Sequence, residues 1–221
     1  MIKKLSSLES LKLIFLSFLF LVFIFINNYA ESQTSNQSSS QSSIDYKNLY
    51  KKVYKNLEYE KAKYGDLNNY VDLTYEYEGI SLSFRLYMRE EEKSLYIKDL
   101  SETWENNIIR VSKGVKEYWA YVFRYALFII YKKQGNIHWK IYSTDKGQEL
   151  FGGFLSSENV LEKELRDVYF APYKKGAFTS LVFFDSLNKM YYQIYYIDIW
   201  GRHDLVYKSN ISNNPYDTNN K

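Results

Sequence analysis

From residue 71 onward, apolar and polar residues alternate with a period of two. The first run places apolar side chains at Val71, Leu73 and Tyr75, with polar residues between them. After Glu78-Gly79 the alternation resumes over residues 80–86. Successive side chains of a strand point to opposite faces, so this pattern predicts two strands, each with one buried face. The glycine between them suits a tight turn, and we expect a hairpin.

A short phrase recurs three times in the rest of the chain. Each copy is an aliphatic residue, a tyrosine, two variable residues and an aspartate, at residues 95–99, 141–145 and 194–198. Successive aspartates are 46 and 53 residues apart, and each unit carries three or four candidate strands. Units of this kind predict a repeated antiparallel meander. An aspartate at a strand exit usually accepts hydrogen bonds from the turn backbone, which is the role expected for Asp99, Asp145 and Asp198.

One copy of the phrase, Tyr142-Ser143-Thr144-Asp145, resembles the tyrosine-x-threonine-aspartate signature of YWTD-type β-propellers. The other two copies keep the tyrosine and the aspartate but carry Lys98 and Ile197 in place of the threonine. The resemblance implies blade-like sheets. A propeller closes with about 4–8 blades, however, and the chain has only three units. We therefore favour a curled sheet, a barrel or a sandwich, and keep propeller-like blades as the less favoured alternative.

Two other stretches have a distinct pattern. Residues 118–131 are the most apolar part of the domain, with Arg124 as their only charge, and predict one long buried strand or two strands that meet near Arg124. Residues 157–167 instead predict a short helix, with Leu161 and Leu165 on one side and glutamates on the other.

The pattern before residue 66 is helical. Leu49, Val53 and Leu57 recur every four residues, lysines occupy much of the opposite side, and Asp45 is a good N-cap. We predict an amphipathic helix over residues 45–65, with Gly65 as its stop. The favoured interpretation is a helix packed on the domain with its lysines in solvent. The alternative is a basic helix that lies on an anionic membrane surface or binds a partner.

The N-terminus has the features of an export signal. Residues 13–26 are apolar except for Ser17, and Lys3, Lys4 and Lys12 precede them. The run is shorter than the ~20 residues of a membrane-spanning helix, so we favour a cleaved signal peptide over residues 1–30, with an uncleaved membrane anchor as the alternative. Both interpretations export the rest of the chain to the periplasm or cell surface, or hold it on the outer side of the inner membrane.

The regions on either side of the predicted folded part have few residues to bury. Residues 31–44 are rich in serine and glutamine and predict a flexible linker. Residues 209–221 are rich in asparagine and predict a frayed tail. The predicted antiparallel β domain therefore occupies residues 66–208, preceded by the helix.

Composition narrows the function classes. The chain contains no cysteine, which excludes disulfides, thiolate metal sites and a cysteine nucleophile. The net charge is +3, of which residues 1–30 contribute +2, so the body of the chain has no electrostatic signature of nucleic-acid binding. There are 24 tyrosines, and tyrosine favours half-buried strands.

Candidate catalytic chemistry is sparse. The two histidines are His138, in a predicted strand, and His203, in a predicted hairpin near Asp198. They do not give the three or four ligands of a metal site, and we expect neither a metal nor another cofactor. No sequence motif of a nucleophile elbow or phosphate loop is present, and we assign no catalytic residue. A hydrolase with carboxylates scattered along the sequence is retained only as a second alternative.

Aromatic side chains are the best candidates for binding. Trp104 and Trp200 fall near predicted turns, where core packing explains a large ring least well, and Asp198 and His203 lie close to Trp200 in sequence. The simpler interpretation, that each ring caps the end of a core, is favoured over binding. We expect an exported envelope or periplasmic protein with a non-catalytic binding or structural role and a protein partner. The first alternative is a module that binds glycan or peptidoglycan strands through exposed aromatics.

Overall fold

The computed structural model describes residues 44–209, apart from residues 78, 124–125 and 159–161. This part of the chain is mainly β, all its strand pairs are antiparallel, and a helix precedes the strands. The predicted fold class is therefore confirmed.

The elements begin with one helix, α1 (Tyr46–Val53), followed by a 3-10 turn (Tyr54–Asn56). The strands are β1 (Glu60–Lys61), β2 (Lys63–Gly65), β3 (Val71–Tyr77), β4 (Ile80–Arg89), β5 (Ser94–Asp99), β6 (Ile108–Lys113), β7 (Val115–Phe123), β8 (Ala126–Lys133), β9 (Asn136–Ser143), β10 (Glu149–Ser157), β11 (Glu164–Tyr173), β12 (Gly176–Phe184), β13 (Met190–Asp198) and β14 (His203–Ser209).

The strands form three separate sheets, each a meander of four consecutive strands. The first sheet has the order β3-β4-β5-β6. The second has the order β10-β9-β8-β7-β2, and the third has the order β1-β11-β12-β13-β14. None of the three closes into a barrel, so the barrel alternative is wrong. The short strand β2 extends the second sheet beside β7, and the short strand β1 extends the third sheet beside β11.

The repeated phrase marks the same place in all three sheets. Residues 95–99 belong to β5, residues 141–143 to β9 and residues 194–198 to β13. Each of these is the third strand of its meander. The sequence repeat therefore corresponds to a repeated four-stranded sheet, as the blade-like alternative predicts for a single unit.

The second sheet is central because both of its faces are buried. Phe128 and Ile130 of β8 pack in a core shared with the third sheet. Leu127 and Ile129 of the same strand pack in a core shared with the first sheet. A strand buried on both faces has a nearly continuous apolar sequence, which explains the run over residues 118–131. That run forms two strands, β7 and β8, as the second of the two predictions had it.

The helix is shorter than predicted, and its stop at Gly65 was wrong. Asp45 is the N-cap as predicted and accepts a 3.0 Å hydrogen bond from the Asn48 backbone N–H. The 3-10 turn after α1 ends at Asn56, and the next residues are extended. Residues 60–61 then pair with β11 and residues 63–65 with β7. In these pairings the backbone N–H and C=O groups of the segment bond to neighbouring strands instead of within a helix. The spacing of the apolar residues did not indicate these strands.

The apolar side of α1 packs on the third sheet, as the favoured interpretation predicts. The Tyr46 ring stacks on Tyr196 with ring centroids 4.0 Å apart. Leu49 and Val53 contact the same cluster, while the lysines of the helix are exposed.

The short helix predicted over residues 157–167 was wrong for its second half. Residues from Glu164 onward form β11. A register shift lies between Leu165 and Asp167, and both Leu165 and Val168 face the core. The bulge spaces these two inward residues three apart, which imitates a helical period.

Some predictions fall outside the described residues. These are the signal or anchor over residues 1–30, all of the linker except residue 44, and the tail after residue 209. Within the described residues, no helix combines the length and apolarity that a membrane span requires.

Buried phenols predict an alkaline limit of stability. Burial raises the pKa of Tyr195 to about 12 and that of Tyr50 to about 12, from an ordinary value of 10.0, and it also raises the pKa of Tyr142. The folded state holds these protons more tightly than the unfolded state, so their contribution is intact below about pH 10 and is lost as the pH rises toward about 12. We expect cooperative unfolding in that interval, followed by near-ultraviolet circular dichroism and phenolate absorbance. Titration of the buried tyrosines near pH 10 with unchanged circular dichroism would contradict this expectation.

Candidate functional site

The aspartate of the repeated phrase caps a turn in the first and third sheets, as predicted. The Asp198 Oδ1 accepts hydrogen bonds from the backbone N–H groups of Trp200 and Arg202, each 3.0 Å long. The Asp99 carboxylate accepts from the backbone N–H of Ser101 at 2.9 Å and of Trp104 at 2.8 Å. Both aspartates are buried, so they are committed to the turn and do not face a ligand.

The second sheet departs from this rule. The Asp145 side chain is exposed, and the Ser143 Oγ accepts the hydrogen bond from the Gln148 backbone N–H at 3.2 Å. The expected turn role is therefore confirmed for Asp99 and Asp198, and in the second sheet a serine takes the place of Asp145.

Trp104 is buried, so it does not present the exposed ring that a binding role at this position would need. Only 3% of the residue is exposed, and its indole Nε1 donates a 2.9 Å hydrogen bond to the Thr144 carbonyl oxygen. Its ring also covers Gly147 in the same turn of the second sheet. Trp104 is a contact between the first and second sheets, which its position near a turn in the sequence could not reveal.

Trp200 is exposed as predicted, with 60% of its surface accessible to solvent. The Lys175 Nζ lies 5.3 Å from the centroid of its ring. The next residue, Gly201, has a φ of +89° and lies so close to Phe151 that a Cβ there would overlap the phenyl ring. Phe151 comes from the edge strand β10 of the second sheet and is itself 41% exposed.

His203 completes the surface around this turn. It is exposed, and its ring centroid lies 5.5 Å from that of Trp139. We call the surface formed by Phe151, Lys175, Trp200 and His203 the Trp200 patch. Of the predicted residues, Trp200 and His203 lie close in sequence at this turn, Asp198 caps the turn with its carboxylate, and Trp104 lies elsewhere. The contribution of Phe151 depends on contact between two sheets, which the sequence does not show.

Acidic residues gather in a separate cleft of about 630 Å³ at the ends of β11 and β12. Two of its glutamates have basic partners: the Glu158 carboxylate lies 3.0 Å from the Lys132 ammonium group, and Glu164 lies 3.3 Å from Arg166. Asp185 accepts hydrogen bonds from two backbone N–H groups of its own turn. Acid–base hydrolysis suits two carboxyl groups without basic partners, and the ion pairs of Glu158 and Glu164 make these two glutamates poor candidates for it. In the described part of the chain, no group of three or more His, Asp or Glu side chains could hold a metal ion.

A larger aromatic site lies between α1 and β14, and the sequence gave no indication of it. The tyrosine groove encloses about 650 Å³ and is lined by Lys47, Tyr50, Lys51, Tyr54, Tyr192, Leu205, Val206, Tyr207 and Lys208. The ring centroids of Tyr50 and Tyr54 are 6.0 Å apart, as are those of Tyr50 and Tyr207. Tyr192 and Tyr207 stack at 5.5 Å. The spacing of Lys47, Lys51 and Tyr54 would place them on one side of a helix, but nothing local shows that residues 205–208 face them.

The charge of the tyrosine groove is entirely positive. Its charged lining residues are Lys47, Lys51 and Lys208. Burial raises the pKa of Tyr50 to about 12 and also raises that of Tyr192, so these phenols are neutral at physiological pH. The groove therefore combines apolar rings, hydroxyl groups and three cations.

Searches of protein-family models, curated proteins and solved structures found no match to the chain. The geometry of these surfaces is therefore what indicates a function for the protein.

Proposed function

We propose that the protein is a non-catalytic binding protein of the cell envelope, and that the Trp200 patch binds a glycan strand such as that of peptidoglycan. The observation that carries the proposal is the contrast among the four tryptophans. Trp104, Trp119 and Trp139 are at most 3% exposed, whereas Trp200 is 60% exposed. An indole that is mostly in solvent contributes little to the stability of the free protein, and covering it with a ligand is favourable.

The chemistry of the patch suits a sugar. One face of a pyranose presents C–H groups that pack on an aromatic ring, while its hydroxyl groups remain available for hydrogen bonds. Trp200 offers an exposed ring with the Lys175 ammonium group beside it, and Phe151 and His203 both lie close to Gly201, the next residue. Because Trp200 follows the turn that Asp198 caps, its backbone is held in place before a ligand arrives.

Export is part of the same proposal. It is supported by the lysines that precede the apolar run over residues 13–26. N-terminal sequencing of the protein recovered from the envelope distinguishes a cleaved signal from a retained anchor. Recovery of the protein only from the cytoplasm would contradict export.

Replacing Trp200 by alanine is expected to reduce retention on purified peptidoglycan by at least about tenfold, because truncation of a central aromatic hot spot typically costs about 2 kcal/mol or more. Phe151→Ala is expected to weaken retention as well. The measurement is the fraction of folded protein that sediments with the insoluble glycan, checked by circular dichroism for each variant.

Phe154→Ala is the matched control. Phe154 lies on the same strand as Phe151 and is 49% exposed, but it pairs with His138 and so points to the opposite face of the sheet. It should bind like the wild type. Absence of retention by the wild type, or equal losses in the Phe154 and Trp200 variants, would argue against the Trp200 patch as the binding surface.

A further inference from the structure

The tyrosine groove passes along the free edge of a sheet. In the third sheet β14 is the last strand, so in the described chain only β13 pairs with it. The groove is lined by four successive residues of β14, residues 205–208. A register shift at Val206 interrupts the regular alternation of side chains in β14. Leu205 still pairs with Tyr195, on the face toward the second sheet, and Tyr207 pairs with Ile194, on the face under α1, so the groove follows the strand edge and not one face alone.

The edge of a strand recognises a particular kind of partner. It presents backbone N–H and C=O groups at strand spacing, and another extended backbone complements them. The rings of Tyr54 and Tyr207, which are 47% and 42% exposed, then offer surfaces for side chains of the added strand. This favours a peptide over a sugar polymer, which has no matching row of alternating donors and acceptors.

The charges of the groove select among peptides. Three lysines and no acidic residue line it, so an acidic segment is attracted and a basic one is repelled. A second copy of this chain, pairing through the same edge, would bring these lysines against their own counterparts. Charge complementarity therefore points to a different protein as the occupant.

We propose that the tyrosine groove docks an acidic, extended segment of a partner protein, which adds as a strand to the free edge of β14. Lys47, Lys51 and Lys208 select the acidic side chains, and the tyrosine rings pack against the residues between them. This site is separate from the Trp200 patch, and the two proposals stand or fall independently.

The test uses the full chain and three short synthetic peptides. The first alternates Glu with Thr, the second carries Gln in place of Glu, and the third keeps Glu but has N-methylated backbone amides, which blocks strand pairing. We expect the first peptide to bind at least about tenfold more tightly than either of the others in calorimetric titration. It should also slow amide hydrogen exchange in β14, and its affinity should fall as salt is raised.

The helix supplies a matched pair of variants. Lys51 lines the groove, whereas Lys52, its neighbour in the same last turn of α1, does not. Lys51→Gln is expected to weaken binding of the acidic peptide severalfold, and Lys52→Gln is expected to leave it unchanged. Because both lysines are exposed and both lie in the last turn of the helix, the two variants should be equally stable.

Several results would overturn the proposal. Equal binding of the Glu and Gln peptides would remove the charge argument, and equal binding of the N-methylated peptide would remove strand addition. No binding of the acidic peptide, or tighter binding of an acidic polysaccharide to the same groove, would also reject it. Concentration-dependent dimerisation that Lys51→Gln strengthens would identify a second copy as the occupant instead.

Discussion

Replacing Lys132 by alanine is expected to lower the free energy of unfolding by about 3–5 kcal/mol. The Lys132 ammonium group is almost buried, and it lies 2.9 Å from the Glu117 carboxylate and 3.0 Å from that of Glu158. Removing it leaves two carboxylates near the interior without their cation. A small domain is typically stable by about 5–15 kcal/mol, so this single change removes a large share of the total.

The position of Lys132 explains why the loss is large. Lys132 pairs with Glu117 across β7 and β8 in the second sheet, and it reaches the Leu165 carbonyl oxygen of the third sheet at 3.5 Å. Burial acts to lower the Lys132 pKa, but hydrogen bonds from the ammonium group to Glu117 and Glu158 outweigh it and raise the pKa above its ordinary value. Its contribution is therefore present below the ordinary pKa and is lost as the pH rises through the folded-state value. The lysine acts as a link between two sheets.

Chemical denaturation measures this prediction, and Lys116→Ala is its control. Lys116 lines a cavity together with Lys132 and Glu117, but its side chain is exposed. We expect its replacement to change the free energy of unfolding by less than about 0.5 kcal/mol. A combined variant with methionine at position 132 and glutamine at positions 117 and 158 should recover much of the loss, because no unpaired charge remains. If Lys132→Ala and Lys116→Ala have equal stabilities, the buried network does not contribute as the geometry indicates.

Replacing Asp99 by alanine is expected to destabilise the protein by about 3 kcal/mol, since it removes several charge-assisted hydrogen bonds at once. The Asp99 carboxylate accepts hydrogen bonds from the backbone N–H groups of Ser101, Thr103 and Trp104. These bonds hold the turn that delivers Trp104 into the core between the first and second sheets. The variant should therefore loosen that interface as well as the turn, which thermal unfolding and Trp104 fluorescence would both report.

The repeat supplies two internal comparisons. The Asp198 carboxylate accepts hydrogen bonds from two backbone N–H groups, and Asp198→Ala should cost roughly half as much as Asp99→Ala. Asp145 is exposed while Ser143 caps its turn, so Asp145→Ala should change stability by less than about 0.5 kcal/mol. Equal costs at the three aspartates would mean that the repeated phrase, and not these particular hydrogen bonds, determines stability.

The strands and their repeat could be predicted because they follow local rules. A period of two marks β3 and β4 of the first sheet, and Gly79 and Asp99 mark two of its turns. The central place of the second sheet is also visible in the sequence, since residues 118–131 have no polar face. Local rules did not predict the strands within residues 60–65. These strands are too short to show a period, and they form only because they pair with β11 and β7.

The candidate sites were predictable only in part, because they combine residues that are distant in sequence. The exposure of Trp200 follows from its turn, but the same argument failed for Trp104, which the second sheet covers. The tyrosine groove joins residues near position 50 to residues near position 206. Lys132 appeared in the sequence as an ordinary polar residue at the end of an apolar run, and only the packing of two sheets gives it two carboxylate partners.

Tryptophan fluorescence during a titration with soluble peptidoglycan fragments tests the central claim most directly. Three of the four tryptophans are buried, so a surface ligand should change the emission of Trp200 alone. We expect a saturable change in the wild type and no change in Trp200→Phe, which keeps the fold and lacks the reporting indole. No change in the wild type, or an equal change in Trp200→Phe, would contradict the assignment of the Trp200 patch as the glycan-binding surface.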